Sequence, residues 1–356
     1  MPRISNSTAK KTLIAFFLYL SAMVIPGIVV ATESDIANGG GQPVLGERPN
    51  AGGAAESVLL EFALLDIDDI DDKEQRFSID AYFEIKWQDL RLAAEPDKAQ
   101  AGQIRVFSVD EIWTPGLTIV NDRGLSVKLP EVVFVDRDGN ATLRQRISGS
   151  LASNLKLQKF PFDTQHLPID IVSYRHTPSE LTYSTDTTFI GDTSKFSAGG
   201  WDFELKQPEF SVFKLTQEKA GASQLTLTVS ATRHFGFFIL TLALPMTLIL
   251  FMAWTVHWLQ PDIAPSRLGM STATVFSLIA LGVSFRLSLP QIDYLTQADR
   301  FVMYSTILVL ISLGITVLAT RWVNEDRLND AVRLTLLTRW AFPLVFALII
   351  VLTLRA

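Results

Sequence analysis

The chain has 356 residues, 48% of them hydrophobic and only 19% charged, with a net charge of −6 and no cysteine. That length accommodates two domains, and that composition predicts a membrane portion. The acidic balance argues against a nucleic-acid partner, and the missing cysteines exclude disulfides, thiolate metal sites and a cysteine nucleophile.

Residues 1–31 read as a secretory signal. Arg3, Lys10 and Lys11 form a basic start, an apolar run follows over 13–30, and Val29-Val30-Ala31 resembles a cleavage site. The run is also long enough for a first transmembrane helix; the signal is preferred because it carries the next segment across the membrane. Residues 32–56, rich in Gly, Ala, Asn and Pro, read as a flexible lead-in. Residues 57–233 read as an all-β domain. Phe77, Ile79, Ala81, Phe83, Ile85 and Trp87 alternate with polar residues, and Tyr82 is the one aromatic on the polar face. Leu225, Leu227, Val229 and Ala231 alternate in the same way. Asp138-Gly139-Asn140 is a turn signal between two strands. Such strands, each with one apolar face, predict an immunoglobulin-like sandwich.

Residues 234–356 then predict four membrane helices, at about 235–259, 265–289, 299–320 and 336–355, the last two joined by a short charged link over 321–333. With an exported first domain both ends lie outside, and Arg267, Arg321, Arg327 and Arg333 fall on the cytosolic side, as the positive-inside bias requires. The second span is unusually polar, with Ser271, Thr272, Thr274, Ser277, Ser284 and Ser288. Gly269, Ala273, Phe276, Ala280, Val283 and Leu287 share one helical stripe. Around a central axis, copies of this stripe would line a channel narrowed at Phe276, with Val283 or Leu287 as alternative constrictions; such rings gate by dewetting. The same small residues also suit a helix–helix interface.

Several motifs then narrow the field. Trp87-Gln88-Asp89-Leu90-Arg91-Leu92 resembles the Trp-x-Asp-x-Arg-Leu motif of pentameric ligand-gated ion channels, and Trp113-Thr114-Pro115 resembles their Trp-x-Pro. Phe160-Pro161-Phe162-Asp163-Thr164-Gln165 matches the heart of their Cys-loop. Arg233, Leu244-Pro245-Met246 and Ala341-Phe342-Pro343 also stand in the family's places. The resemblance runs from about residue 58 to the end, and the motifs are specific in this order. The two loop cysteines of the animal receptors fall on Ser153 and Leu167, and the link over 321–333 is short. Both features resemble the bacterial branch, which implies a bacterial inner-membrane homopentamer, each chain having four identical partners, membrane lipid around it and permeant inorganic ions within.

The resemblance implies an agonist site between subunits, with Tyr174 and Phe213 on one face and Tyr82 and Arg146 on the other. An aromatic box suits a cation and an arginine suits a carboxylate, so the agonist, a small molecule or a proton, stays open. It also brings Asp72, Asp163 and Arg233 together above the linker at 289–295, which includes Pro290. That cluster is either a coupling device or a static ion pair. For selectivity, Pro265-Ser266-Arg267-Leu268-Gly269 resembles the Pro-Ala-Arg-Val-Gly of glycine and GABA receptors, and Arg286 resembles their outer end. Together these favour an anion pore; Asp262 and Asp293 flank the helix and favour cations. The second-helix histidine that bacterial proton-gated members often carry falls on Leu278 here, leaving His166 and His234 near the domain junction as pH-sensing candidates.

No catalytic set, phosphate loop, cofactor motif or metal-ligand spacing emerges from the four histidines or elsewhere, so an enzyme is not expected. A periplasmic sensor without conduction and a transporter are the other rivals. The cytosolic links are too short for an output domain, and a transporter predicts internal repeats that the sequence lacks.

Overall fold

The computed structural model describes residues 45–94, 104–186, 188–214 and 221–355, with the backbone alone at 189. The expected signal and most of the lead-in lie outside the described residues. The first domain is a sandwich of two sheets. The larger runs β10 (Thr188–Ile190), β1 (Glu56–Asp71), β2 (Arg76–Gln88), β7 (Asn140–Ala152), β6 (Val132–Val135) and β3 (Arg105–Ser108). Beside this path, β9 (Leu181–Ser184) pairs with β1 and β5 (Ser126–Val127) with β7. The smaller sheet runs β11 (Trp201–Leu205), β13 (Ala222–Arg233), β8 (Thr164–Ser173) and β4 (Leu117–Ile119), with β12 (Glu209–Phe213) on β13.

Period-two alternation decides which face of each strand is buried. On β2 the six apolar residues from Phe77 to Trp87 are all in the core, together with Ile169, Ile171, Leu225 and Leu227 of the other sheet. On β1 the acid-rich run breaks the alternation. Register shifts between Leu64 and Asp66 and between Ile67 and Asp69 reset its phase, so Leu64 and Ile67 both reach the core despite standing three residues apart. The predicted turn at Gly139 has φ +80°, and a Cβ there would lie 2.4 Å from the Asp89 carbonyl oxygen. Glycine is therefore required both for the turn and for that approach. Asp89, buried, holds Arg91 at 2.8 Å and accepts from its backbone N–H at 3.0 Å, so the Trp-x-Asp-x-Arg-Leu segment is a locked corner of the sandwich.

Four helices follow, each long and apolar enough to cross a membrane: α1 (Gly236–Trp258), α2 (Ala264–Leu287), α3 (Gln297–Asn324) and α4 (Leu328–Arg355). In α1 a π-helical stretch, Ile239–Ala243, precedes Pro245. Proline has no N–H for the carbonyl four residues back, and the wider turn absorbs the mismatch. α3 opens on a capping box in which Thr296 and Asp299 satisfy each other's backbone N–H. The expected 321–333 link is corrected: helix continues to Asn324 and resumes at Leu328, so α3 and α4 are longer than 299–320 and 336–355. Hydropathy marks where a helix leaves lipid, not where it ends. Here the pairs Arg321–Glu325 (2.7 Å) and Arg327–Asp330 (2.8 Å) support the polar terminal turns.

A second core joins the two domains. Leu157 and Phe160 of the β7–β8 loop are buried with Leu242 and Met246 of α1, Leu278 of α2, Leu289 and Ala298. This loop has no disulfide. Ser153 Oγ instead donates to the His166 carbonyl at 3.2 Å, and the Gln165 amide bonds both the N–H and the carbonyl of Lys156, at 2.9 and 3.0 Å.

Candidate ion pathway and its coupling site

α2 has two unlike faces. Ser271, Thr274, Val275 and Leu278 are buried against the other helices. Gly269, Ala273, Phe276, Ala280, Val283 and Leu287 are all exposed, and they run along the middle of the opposite face. Phe276 is 67% exposed and Leu287 74%. Exposed Thr272, Ser277 and Ser284 flank them. The scattered polarity of the sequence thus divides: two hydroxyls hold the bundle and the rest border the stripe. Gly282 lies on the packed side, where a Cβ would come within 2.9 Å of Val302.

Two expected selectivity residues are not on that stripe. Arg267 is completely buried and its Nη2 points at Thr335 Oγ1 on α4, 3.4 Å away. At about 100° per residue, a position two before Gly269 falls nearly on the far side of the helix. Arg286 stands at the edge, where its Nη1 bonds the Asp299 carboxylate at 3.0 Å; its charge is matched within the chain. Pro265 and Ser266 are exposed at the helix start. α2 contains no Asp or Glu.

The expected Asp72–Asp163–Arg233 cluster is assembled. Asp72 comes from the β1–β2 turn, Asp163 from the β7–β8 loop and Arg233 from the last residue of β13. Arg233 Nε meets Asp163 Oδ1 at 2.9 Å and its Nη2 meets Asp72 Oδ1 at 2.8 Å. The guanidinium lies 4.1 Å from the Trp201 ring centroid and 4.8 Å from that of Phe160. Burial pushes the Asp72 carboxyl up and works against the charge of Arg233 as well. At Arg233 the hydrogen bonds it donates to Asp72 and Asp163 outweigh burial, and its guanidinium is held above its ordinary range. The same loop then reaches the bundle. Phe160 packs edge-on to Phe238 at 4.6 Å, Tyr294 Oη accepts from Leu157 N at 3.1 Å, and Ala298 N donates to the Phe160 carbonyl at 3.2 Å. Pro290 is buried beside Leu289 at the end of α2. Trp201 was missed from sequence; its only signal is its register opposite Arg233 across β11 and β13.

The four agonist candidates form two pairs. Tyr174 and Phe213 meet edge to face at 5.8 Å, with Tyr174 44% exposed. Tyr82 and Arg146 are direct cross-strand partners on the solvent side of β2 and β7. Phe213 ends β12 and Tyr174 follows the last residue of β8, both in the smaller sheet, whereas Tyr82 and Arg146 lie on the larger one. Arg146 is not a free cation: its Nε and Nη2 take both oxygens of Asp80, at 2.9 and 2.5 Å. That bonding holds the Asp80 carboxyl below the usual range. Glu84–Arg144 at 2.8 Å and Lys86–Glu61 at 2.9 Å continue a ladder of charge pairs around Tyr82. Behind Tyr174, the His176 ring lies 5.4 Å from Trp113, and burial lowers its pKa. His234 pairs with Asp202 at 2.8 Å, next to Arg233 in sequence, and His166 is exposed. Among the described residues no group of three or more metal-ligating side chains occurs.

Residues 46–233 match the family model for the neurotransmitter-gated ion-channel ligand binding domain. A proton-gated ion channel of Gloeobacter violaceus is 25% identical over 309 residues, covering 86% of this chain and 85% of its own length. Gamma-aminobutyric acid receptor subunit beta-4 of Gallus gallus is 25% identical over 278 residues, covering 75% of this chain and 55% of its own length.

Proposed function

This chain belongs to the neurotransmitter-gated ion-channel family, and from that premise we propose that five copies enclose a central pore lined by the exposed stripe of α2. The observation that carries this reading is the continuous exposed face from Gly269 to Leu287 on a helix whose opposite side is packed. Phe276 and Val283 form the gate, since a ring of large apolar side chains excludes water when narrow. An agonist binds between outer domains, at Tyr174 and Phe213 of one subunit and Tyr82 and Arg146 of the next. The names of the relatives offer two agonist classes, the proton and γ-aminobutyric acid. The Tyr174–Phe213 pair presents ring faces to an organic ammonium, whereas Arg146 receives a carboxylate only by exchange with Asp80.

Arg233 with its two carboxylates passes movement of the sandwich to the α2–α3 linker through Phe160. We favour an anion pore. Pro265 and Ser266 line its inner mouth, no acid lies on α2, and the charge of Arg267 acts from behind the helix and not as a lumen ring. Asp262 and Asp293, exposed beyond the two ends of α2, support the alternative of a cation pore.

Recording from purified protein in planar bilayers tests both levels. The reading predicts agonist-evoked unitary currents whose reversal potential follows chloride. A reversal potential that follows sodium replaces the anion reading and keeps the channel. Silence under every ligand and pH, from protein shown to be pentameric, leaves a membrane-anchored sensor.

A further inference from the structure

The end of the bundle away from the sandwich holds a guanidinium with no counter-charge among the described residues. Arg267 is 0% exposed. Among the described residues only Nη2 has a partner, the Thr335 hydroxyl at 3.4 Å, and Nε and Nη1 have none. Arg339 lies on α4 one helical turn beyond Thr335, so a second cation shares the helix face that Arg267 meets. Arg339 Nε donates to the His257 carbonyl at 2.7 Å, and its guanidinium stacks 4.9 Å from the Trp258 ring centroid. No other hydrogen bond holds that guanidinium among the described residues. Of the carboxylates at this end, Glu325 pairs with Arg321 and Asp330 with Arg327, while Asp262 and Asp326 are exposed and, among the described residues, neither bonds Arg267 or Arg339. A buried cation without an opposite charge is strongly unfavourable, and a second cation beside it worsens the case.

The corner is open on one side. Arg339 is half-buried, Trp258 is half-exposed and Trp340 is 70% exposed. Tryptophans at this depth mark the boundary between lipid tails and headgroups. We propose that Arg339 and Arg267, with Thr335 between them, form an intrasubunit site for a phosphate group at the inner face of the membrane. The phosphate oxygens take the open nitrogens of Arg339, and the negative charge compensates Arg267 one turn away. Planar guanidinium groups match phosphate oxygens in pairs, which suits them to this task. The phosphate comes from an anionic phospholipid of the inner leaflet or from inorganic phosphate in the cytosol.

The test uses the full chain and reads binding, so it stands whether or not the protein conducts. Native mass spectrometry counts phosphatidylglycerol retained by protein taken from mixed phosphatidylcholine–phosphatidylglycerol vesicles. In a second arm, inorganic phosphate is titrated into lipid-free detergent while the thermal midpoint is followed. The wild type should retain phosphatidylglycerol at least tenfold better than Arg267→Gln and Arg339→Gln, with Arg333→Gln, exposed on α4, unchanged. A midpoint that also rises with phosphate, and only when both arginines are present, adds the free ion as an occupant. A phosphate response without lipid retention makes the free ion the sole occupant. Arg267→Lys, which keeps the charge, controls for folding; if Arg267→Gln does not fold, Arg339→Gln alone decides. Equal retention and equal phosphate response in wild type and both variants overturn the site, and so does an equal loss in Arg333→Gln.

Discussion

One arginine is buried near each end of the bundle, Arg233 at the base of the sandwich and Arg267 on the far side, and their surroundings are opposite. Arg233 has two carboxylates within 2.9 Å and aromatic rings on its faces. Arg267 has one distant hydroxyl and a neighbouring cation. The first arrangement is complete within the chain, and removing any member leaves a buried charge unmatched. The second has no opposite charge among the described residues. Burial alone therefore does not say what a charge does; the partners do.

The sharpest way to break this comparison is at Arg233. Asp163→Asn or Arg233→Met should cost about 3–5 kcal/mol, because each strands a buried charge or two carboxylates. For a domain of this size that is a fall in thermal midpoint of roughly 10 °C. The exchange of Asp163 and Arg233 should recover the midpoint without recovering gating; recovery of both would reduce the cluster to adhesion. At the other end the sign reverses. Arg267→Met removes an unmatched charge, so in zwitterionic detergent it should leave stability unchanged or raise it by about 1–4 kcal/mol. A loss as large as that at Arg233 would show that Arg267 is already compensated.

A smaller effect is expected at His176. Burial lowers its pKa below the ordinary value of 6.5, so the folded chain favours the neutral ring. The unfolded chain takes up the proton first. His176 therefore costs no stability above about pH 6.5 and destabilises the sandwich progressively as pH falls below that value. His176→Gln should flatten the acid limb of a melting-temperature profile; an unchanged limb would assign the acid loss to other groups. The smallest effect lies at the exposed ladder. Asp80→Asn should leave the midpoint unmoved, since solvent-exposed pairs contribute little. It frees Arg146, so sensitivity to a carboxylate-bearing agonist should rise.

Much of this was legible in the sequence, for identifiable reasons. Alternation on β2 and β13 gave both sheets their core faces, because a two-residue period leaves no choice once one face is apolar. Asp163 stood out by motif, and Asp72 and Arg233 by the places the resemblance gives them, although the fold brings the three from distant segments. Arg267, singled out by the Pro-Ser-Arg motif, lies behind the helix, where angular position alone puts it opposite Gly269. The partners of Arg146 and Arg286 were hidden for another reason. Asp80 and Asp299 lie across a sheet register and a helix junction, and neither follows from local spacing. Trp201 was hidden in the same way. Helix ends at 321–333 escaped because hydropathy reports the membrane boundary and says nothing of helical turns beyond it.

The absence of cysteine allows a direct measurement of whether the stripe faces water in a conducting pore. Single cysteines placed along α2 are exposed to a charged, water-soluble thiol reagent during agonist-evoked current. Modification should alter the current at Ala273→Cys, Phe276→Cys, Ala280→Cys and Val283→Cys, and leave it unchanged at Ser271→Cys and Leu278→Cys. Sensitivity on the Ser271–Leu278 side, with Ala280→Cys unaffected, would contradict the account.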